Sequence, residues 1–153
     1  MYIKNALVIL FLTLTTSIFS QITIDDVGDG WKNQVDSALS LIKLTSPEHW
    51  NEVNKYCKHI TFWIGDFSTT VDSNTVMISR KAIYLNSINN LACTIIHESH
   101  HLMLLQSDFY MKPSEEELSC YLWEWEFLKT IENPEPWLQK HIIKCISAYS
   151  NQK

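Results

Sequence analysis

Apolar side chains recur every three or four positions along most of this chain and alternate with polar ones only in a short central part. The wider spacing predicts five helices, which cover residues 31–45, 47–57, 88–106, 115–132 and 137–149. The alternating part is rich in β-branched and aromatic residues and predicts three short strands, at 59–64, 75–79 and 81–85. Two helices, a small sheet and three more helices indicate an α+β fold that is mostly helical.

Residues that commonly begin helices stand at three breaks in this pattern. Ser46 comes directly before Pro47, a proline that suits the first position of a helix. Asn86 and Ser87 can cap the helix that begins at residue 88, and 112–114, Lys-Pro-Ser, supplies a break and a new cap.

The first twenty residues have the pattern of a secretory signal peptide. A lysine at position 4 precedes an apolar run from Ala6 to Leu14, and small residues follow as far as Ser20. We therefore expect a signal peptide at 1–20 and a single domain at 21–153 that is exported, either periplasmic or secreted. The run is shorter than the ~20 residues of a membrane span, so no span is expected after cleavage; an uncleaved anchor is the alternative.

Composition and charge narrow the class of protein further. Of the 153 residues 46% are apolar and 19% charged, with only three Gly and four Pro, which is typical of one globular domain with its own core. The formal net charge is −5 and Arg80 is the single arginine. Because nucleic-acid binding needs a surplus of basic side chains, we expect no nucleic-acid partner.

The candidate chemistry lies in the helix predicted at 88–106, where residues 97–101 read His-Glu-Ser-His-His. Residues four apart share a helix face, so His97 and His101 can both direct a ring nitrogen at one Zn²⁺. Glu98 lies about 100° further round the helix, beside such a metal, where it can act as general base on a zinc-activated water. His100 is off the ligand face by spacing and is interpreted as a supporting or surface residue.

A catalytic zinc site needs a third protein ligand, and three glutamates open the next predicted helix. The short connection through Pro113 favours antiparallel packing of the two helices, which would bring Glu116 and Glu117 near the metal. The spacing leaves both open as the third ligand. Glu117 also forms a capping-box pattern with Ser114, which is a structural alternative for it.

His97-Glu98-x-x-His101 followed by a helical Glu resembles the gluzincin metallopeptidases, the thermolysin-related group of zincins. In that group the third ligand commonly opens a pattern of Glu, two variable residues, a small residue and a polar one. Residues 117–121, Glu-Leu-Ser-Cys-Tyr, fit this pattern better than the segment that begins at Glu116. The resemblance implies a zincin-like fold, His97, His101 and Glu117 as zinc ligands, and Glu98 as general base.

The chain also departs from the gluzincin pattern. The gap between the second histidine and Glu117 is shorter than in thermolysin, and Tyr121 stands where an acidic or amide residue often orients a ligand histidine. Zincin-like folds place an edge strand just before the motif, which implies that 82–85 binds an extended substrate; an ordinary strand of a small sheet is the alternative. Tyr110, Tyr121 and Tyr149 are candidate donors to an oxyanion.

An exported chain with four cysteines can form two disulfides. Antiparallel packing of the two ligand helices would put Cys93, one turn before the first histidine, beside Cys120, one turn after Glu117. Cys57 would then pair with Cys145. Four buried free thiols are the alternative.

These observations favour an exported zinc metallopeptidase that hydrolyses peptide bonds of a peptide or protein substrate. A non-catalytic zinc-binding structural or interaction module is the alternative. A third hypothesis is a small exported binding protein in which the histidines bind no metal. The aromatic stretch at 121–128 has helical spacing and is interpreted as core, not as a carbohydrate site.

Overall fold

Six helices and four short strands make up the computed structural model, which describes residues 21–28, 30–107 and 110–152. The strands are β1 (Thr23–Ile24), β2 (His59–Trp63), β3 (Thr69–Thr70) and β4 (Thr75–Ser79). The helices are α1 (Trp31–Thr45), α2 (Pro47–Tyr56), α3 (Arg80–Tyr84), α4 (Ile88–Gln106), α5 (Pro113–Leu128) and α6 (Pro136–Ser150). The prediction of a mostly helical α+β chain with a small sheet is confirmed. The predicted signal peptide lies outside the described residues.

The four strands form one mixed sheet in the order β1-β2-β4-β3. β2 runs parallel to both β1 and β4, and β3 pairs antiparallel with β4 at the edge of the sheet. Ile60 of β2 lies opposite Val76 of β4, and both side chains are buried. The two-residue strands β1 and β3 are too short to show the alternation from which strands are predicted.

The core lies between the sheet and the helices that cover it. α1 contributes Val35 and Ile42, each fully buried, and α4 is buried along most of its length. A buried helix is apolar all round, which explains why the stretch before and after the His-Glu motif carries so few charges. Within the described residues, no helix combines the length and apolar character that crossing a membrane requires.

Two helix starts agree with the sequence patterns and one begins earlier. Pro47 is the first residue of α2 after Ser46, and the Ser87 hydroxyl accepts the Asn90 amide at 3.0 Å at the start of α4. α5 begins at Pro113 with Lys112 as the capping residue, two residues before the predicted start. It also ends four residues early, at Leu128, where the chain tightens into turns.

The segment predicted as a third strand, 81–85, is wrong: it belongs to the short helix α3. The Ser79 hydroxyl accepts the amide of Ala82 at 3.2 Å and so caps a helix directly after β4. Arg80 lies over the ring of Tyr84, four residues on, which is a helical contact. The edge strand expected at 81–85 is therefore absent, and β1 and β3 are the two edge strands of the sheet.

α4 and α5 run antiparallel where they touch. His101, late in α4, contacts Glu116 at the start of α5, whereas the earlier His97 contacts Glu124 further along. This is the packing that the short connection predicted.

The cysteines do not follow the predicted pairing, because all four are free thiols. The Cys120 sulfur lies near the imidazoles of α4, so it is not bonded to the buried Cys93. Cys57 contacts the His59 carbonyl at 3.5 Å, and Cys145 lies 3.8 Å from a ring nitrogen of His141 on α6. The predicted disulfides are wrong for this structure.

Candidate metal centre

The two motif histidines lie side by side on α4, facing α5. His97 is 8% exposed, and its ring centre is 5.0 Å from that of His101. The Nε2 atoms of the two rings are 3.3 Å apart. One helix turn separates the residues, so the helix puts both side chains on one face, as the four-residue spacing predicted, and the ring orientations bring the nitrogens together.

The other ring nitrogen of each histidine, Nδ1, is hydrogen-bonded to a carboxylate. His97 Nδ1 lies 3.1 Å from Glu124 Oε2, and His101 Nδ1 lies 2.7 Å from Glu116 Oε1. An ionised carboxylate can only accept, so both Nδ1 atoms must donate a proton to these bonds. In the neutral imidazoles, both Nε2 atoms therefore present a lone pair, which is the tautomer that a metal ligand needs.

The carboxylate of Glu117 lies close to both Nε2 atoms. Its Oε2 is 3.5 Å from His97 Nε2 and its Oε1 is 3.5 Å from His101 Nε2. Around a tetrahedral zinc with bonds near 2.0–2.1 Å, neighbouring N and O donors are about 3.3–3.4 Å apart. Each oxygen of Glu117 thus lies about as far from one ring nitrogen as neighbouring donors on one zinc would, so the carboxylate can offer an oxygen to an ion held by the histidines.

The electrostatics of this cluster favour a cation. Burial by itself would lower the pKa of His97, but contact with Glu117 and Glu124 raises it to about 10. The His101 and His97 rings in turn lower the pKa of Glu117 to about 2. Two facing lone pairs beside a carboxylate repel one another unless a proton or a metal ion lies between them. Imidazole and carboxylate are ligands that suit zinc, so the donor set fits the ion that the motif predicted.

A fourth donor, Cys120, lies beside the two histidines. Its sulfur is within 4.8 Å of a ring nitrogen of each, and the group formed by His97, His101 and Cys120 could hold a metal ion. Cys120 is fully buried, and burial together with nearby carboxylates raises the pKa of its thiol. A zinc-bound sulfur is about 3.6 Å from its neighbouring nitrogen donors. Cys120 and the Glu117 carboxylate are therefore both candidate third donors.

Glu116 and Glu117 have different positions, although the sequence left both open as the ligand. Glu116 contacts Nδ1 of His101, on the side of the ring away from the two Nε2 atoms. The helix cap that competed for Glu117 is provided by Glu115 instead, whose Oε2 accepts the Lys112 amide at 3.2 Å. Glu117 is therefore free to face the two histidines.

Glu98 is the next residue after the first histidine, and its side chain lines a groove of about 650 Å³ that opens onto this cluster. Glu98 is only 7% exposed, and burial raises its pKa above the ordinary value while the two histidines oppose that rise. Its carboxylate accepts no hydrogen bond from any side chain or amide in the described part of the chain. A buried carboxylate of this kind suits proton transfer.

The two walls of the groove come from different parts of the fold. β3 and the loop before it form one wall together with α3, through residues that include Phe67, Thr70 and Lys81. α6 forms the other wall, with Trp137, His141 and Tyr149. The floor consists of the α4 face from Asn90 to His101 and the facing part of α5.

An aromatic contact chain connects the α6 wall to the first histidine. Tyr149 stacks on Tyr121 with ring centres 5.7 Å apart, and Tyr121 meets the His97 ring edge-on at 4.5 Å. Of the three tyrosines considered as oxyanion donors, Tyr121 and Tyr149 line the groove and the exposed Tyr110 is not among its lining residues.

Sequence reasoning missed Glu124, which holds the His97 ring. Tyr121 stands where an orienting acidic residue was expected, and Glu124, three residues later, is the residue that contacts the ring. Glu124 lies seven residues after Glu117, two turns along the same helix face, and this spacing is a signal that was available. His100 is not a surface residue: it is buried and bonded at both ring nitrogens.

Comparison with known proteins adds no relative, since no protein-family model, no curated protein and no solved structure matches this chain.

Proposed function

We propose that this chain is an exported zinc metallopeptidase with a zincin-like, gluzincin-type site. The observation that carries the proposal is the pair of Nε2 atoms of His97 and His101, 3.3 Å apart, each with an oxygen of Glu117 at 3.5 Å and with both Nδ1 atoms held by carboxylates. These three residues would hold the ion. When bound, zinc supplies Lewis-acid chemistry: it makes a water acidic and polarises a carbonyl.

Glu98 would move the proton in this reaction. Its carboxylate lines the groove next to the first histidine and has no hydrogen-bonding partner in the described residues that would hold it elsewhere. It takes a proton from the attacking water and delivers it to the leaving nitrogen of the peptide bond. The raised pKa of Glu98 brings its proton affinity closer to neutral pH, where both transfers are efficient.

The groove suits an extended polypeptide. The floor from Asn90 to His101 spans about 16 Å of helix, which is room for about five residues of extended chain. β3 lies at the edge of the sheet and lines the groove, so a substrate strand can add to it by backbone hydrogen bonds. This replaces 82–85 as the expected substrate edge.

The α6 wall would donate hydrogen bonds to the substrate. His141 and Tyr149 both line the groove opposite β3, and both carry a side chain that can donate to an oxyanion. His141 was not among the candidates from the sequence, because its distance along the chain from the motif hides its position.

A second candidate function rests on Cys120. A buried thiol near both histidines is typical of closed structural zinc sites, in which no coordination position is left for water. In that case the chain would be a zinc-binding structural or interaction module, and Glu98 would be without a catalytic role.

The variant Glu98→Gln separates the two functions, with Glu132→Gln as the matched control because Glu132 is exposed and outside the groove. The probe is a library of quenched fluorescent peptides, tested with chain purified from an oxidising compartment. We expect the wild type and E132Q to cleave, and E98Q to bind zinc equally but to lose at least ~100-fold in kcat/KM. Zinc binding without cleavage in the wild type would favour the structural module, and absence of zinc would overturn both.

Export has its own test. The chain expressed with its first twenty residues in a bacterial host should be recovered outside the cytoplasm with Gln21 as its first residue. An intact mass that retains residues 1–20 would contradict cleavage there.

A further inference from the structure

Beside the metal centre, and separate from it, the buried His100 and two partly buried polar side chains connect three helices. His100 of α4 has Nδ1 at 2.9 Å from Glu52 Oε1 of α2 and Nε2 at 3.0 Å from Ser119 Oγ of α5. We call these three residues the polar brace. The side chain of His100 is 9% exposed and that of Glu52 is 15% exposed, so little solvent competes for these bonds.

The polar brace holds the ligand-bearing segments on both sides of the centre. His100 directly precedes His101 on α4, and Ser119 lies two residues after Glu117 on α5. The ring of His100 is also packed against that of Trp123, with centres 5.6 Å apart and planes 31° from parallel. With both nitrogens bonded and one face covered, the ring has a single orientation available.

Burial of a charged and polar group is a weak way to stabilise a protein. Well-packed apolar side chains of similar volume often stabilise as much or more, because no desolvation has to be offset. A metal site, by contrast, needs its ligands within a few tenths of an ångström of the bonding distances. Directional hydrogen bonds fix the relative register of helices in a way that apolar contact does not.

We propose that the polar brace is a positioning device for the metal ligands, with His100 as its central positioning residue. The inference rests on the proposed zinc site. His100 acts through α4 and α5: it sets the separation of the helix that carries the two histidines from the helix that carries Glu117. It touches neither substrate nor metal.

His49 provides a matched control in the same part of the fold. It is buried on α2, its Nδ1 lies 2.6 Å from Ser46 Oγ and its Nε2 lies 3.1 Å from the Trp123 carbonyl. It thus connects α2 to α5, as the polar brace does, but among the described residues it has no hydrogen bond to α4. A purely structural role for such bonds predicts similar behaviour for His49 and His100.

The test measures zinc affinity, by competition with a chromophoric chelator, and the visible spectrum of the cobalt-loaded full chain. The triple variant Glu52→Leu, His100→Leu, Ser119→Ala should keep Tm near that of the wild type but bind zinc at least ~10-fold more weakly, with an altered cobalt spectrum. His49→Leu should leave the affinity and the spectrum unchanged, whatever it does to Tm.

A smaller pair of variants serves if the triple variant does not fold. Ser119→Ala should weaken zinc binding and change the cobalt spectrum, whereas Ser119→Thr, which keeps a hydroxyl, should restore both. Wild-type affinity in the folded triple variant, or in S119A, would overturn the positioning role while leaving the proposed function intact. A wild type that binds no zinc would overturn the proposed function, and the positioning role with it.

Discussion

Glu124 accepts a hydrogen bond from the Nδ1 of His97 at 3.1 Å, from a position two helix turns beyond Glu117. Glu124 is 6% exposed, so little solvent competes for this bond, which fixes the orientation and the tautomer of the His97 ring. An amide in its place can present a donor to Nδ1 and favour the wrong tautomer. We expect Glu124→Gln to weaken zinc binding by about 10–100-fold, measured by chelator competition. Glu126→Gln, an exposed change on the same helix, should leave affinity unchanged. Equal affinities in both variants would show that Glu124 does not orient the ligand.

The identity of the third donor can be read from two substitutions. Glu117→Gln should reduce zinc affinity by more than ~100-fold, because the Glu117 oxygens face both Nε2 atoms at 3.5 Å. This loss exceeds the one expected for a residue that only orients a ligand. Cys120→Ser keeps the small size and should leave affinity within about threefold. The measurement is zinc stoichiometry and affinity of the folded variants. The opposite ranking would assign the third position to the sulfur.

Glu116 should behave as a supporting residue and not as a ligand. It lies 2.7 Å from the outer nitrogen of His101 and is the more exposed of the two glutamates. We expect Glu116→Gln to retain one zinc per chain with affinity reduced by about tenfold. Complete loss of zinc from E116Q, with E117Q unaffected, would reverse the assignment between these neighbours.

The thiols offer a test that is independent of the metal. Cys57, Cys93 and Cys120 are fully buried and Cys145 is only partly exposed. We expect intact mass to show four unmodified thiols and alkylation of the native chain to label Cys145 first. Burial raises the pKa of Cys145, so labelling should be slow at neutral pH and should accelerate as pH rises. A mass lower by two or four hydrogens would instead show disulfides.

Glu135 joins the start of α6 to the start of α4 and makes stability depend on pH. Ser87 Oγ donates to Oε1 at 2.6 Å and Asn89 Nδ2 donates to Oε2 at 2.7 Å. Burial alone would raise the pKa of Glu135, but these two bonds lower it overall. Its ionised form therefore adds stability above the unfolded pKa of about 4.3, and this stability is lost as pH falls through the lower folded-state pKa.

We expect Glu135→Gln to reduce the free energy of unfolding at pH 7 by roughly 1 kcal/mol, discounted for partial exposure. The difference between wild type and variant should shrink as pH falls below about 4.3, in urea titrations at fixed pH steps. Glu132→Gln is the control, since Glu132 is exposed in the preceding turn. A wild-type advantage that stayed constant to pH 3 would contradict a role for the charge.

The sequence determined the elements whose signals are local. Helical periodicity predicted all five long helices, and the four-residue spacing of His97 and His101 placed both side chains on one face, because one helix turn separates them. The short connection after α4 indicated antiparallel packing for a similarly local reason. The strand predicted at 81–85 was wrong, since five residues carry too little pattern and the cap from Ser79 begins a helix there.

Only the tertiary structure decided which partners meet across helices. Glu117 and Glu116 are neighbours with almost equal sequence signals. The rotation of α5 against α4 puts Glu117 beside both Nε2 atoms and Glu116 beside Nδ1 of His101. The same packing brings Glu52 to His100 from 48 residues away. Local spacing cannot encode such contacts, because they depend on how the apolar faces of separate helices pack together in the core.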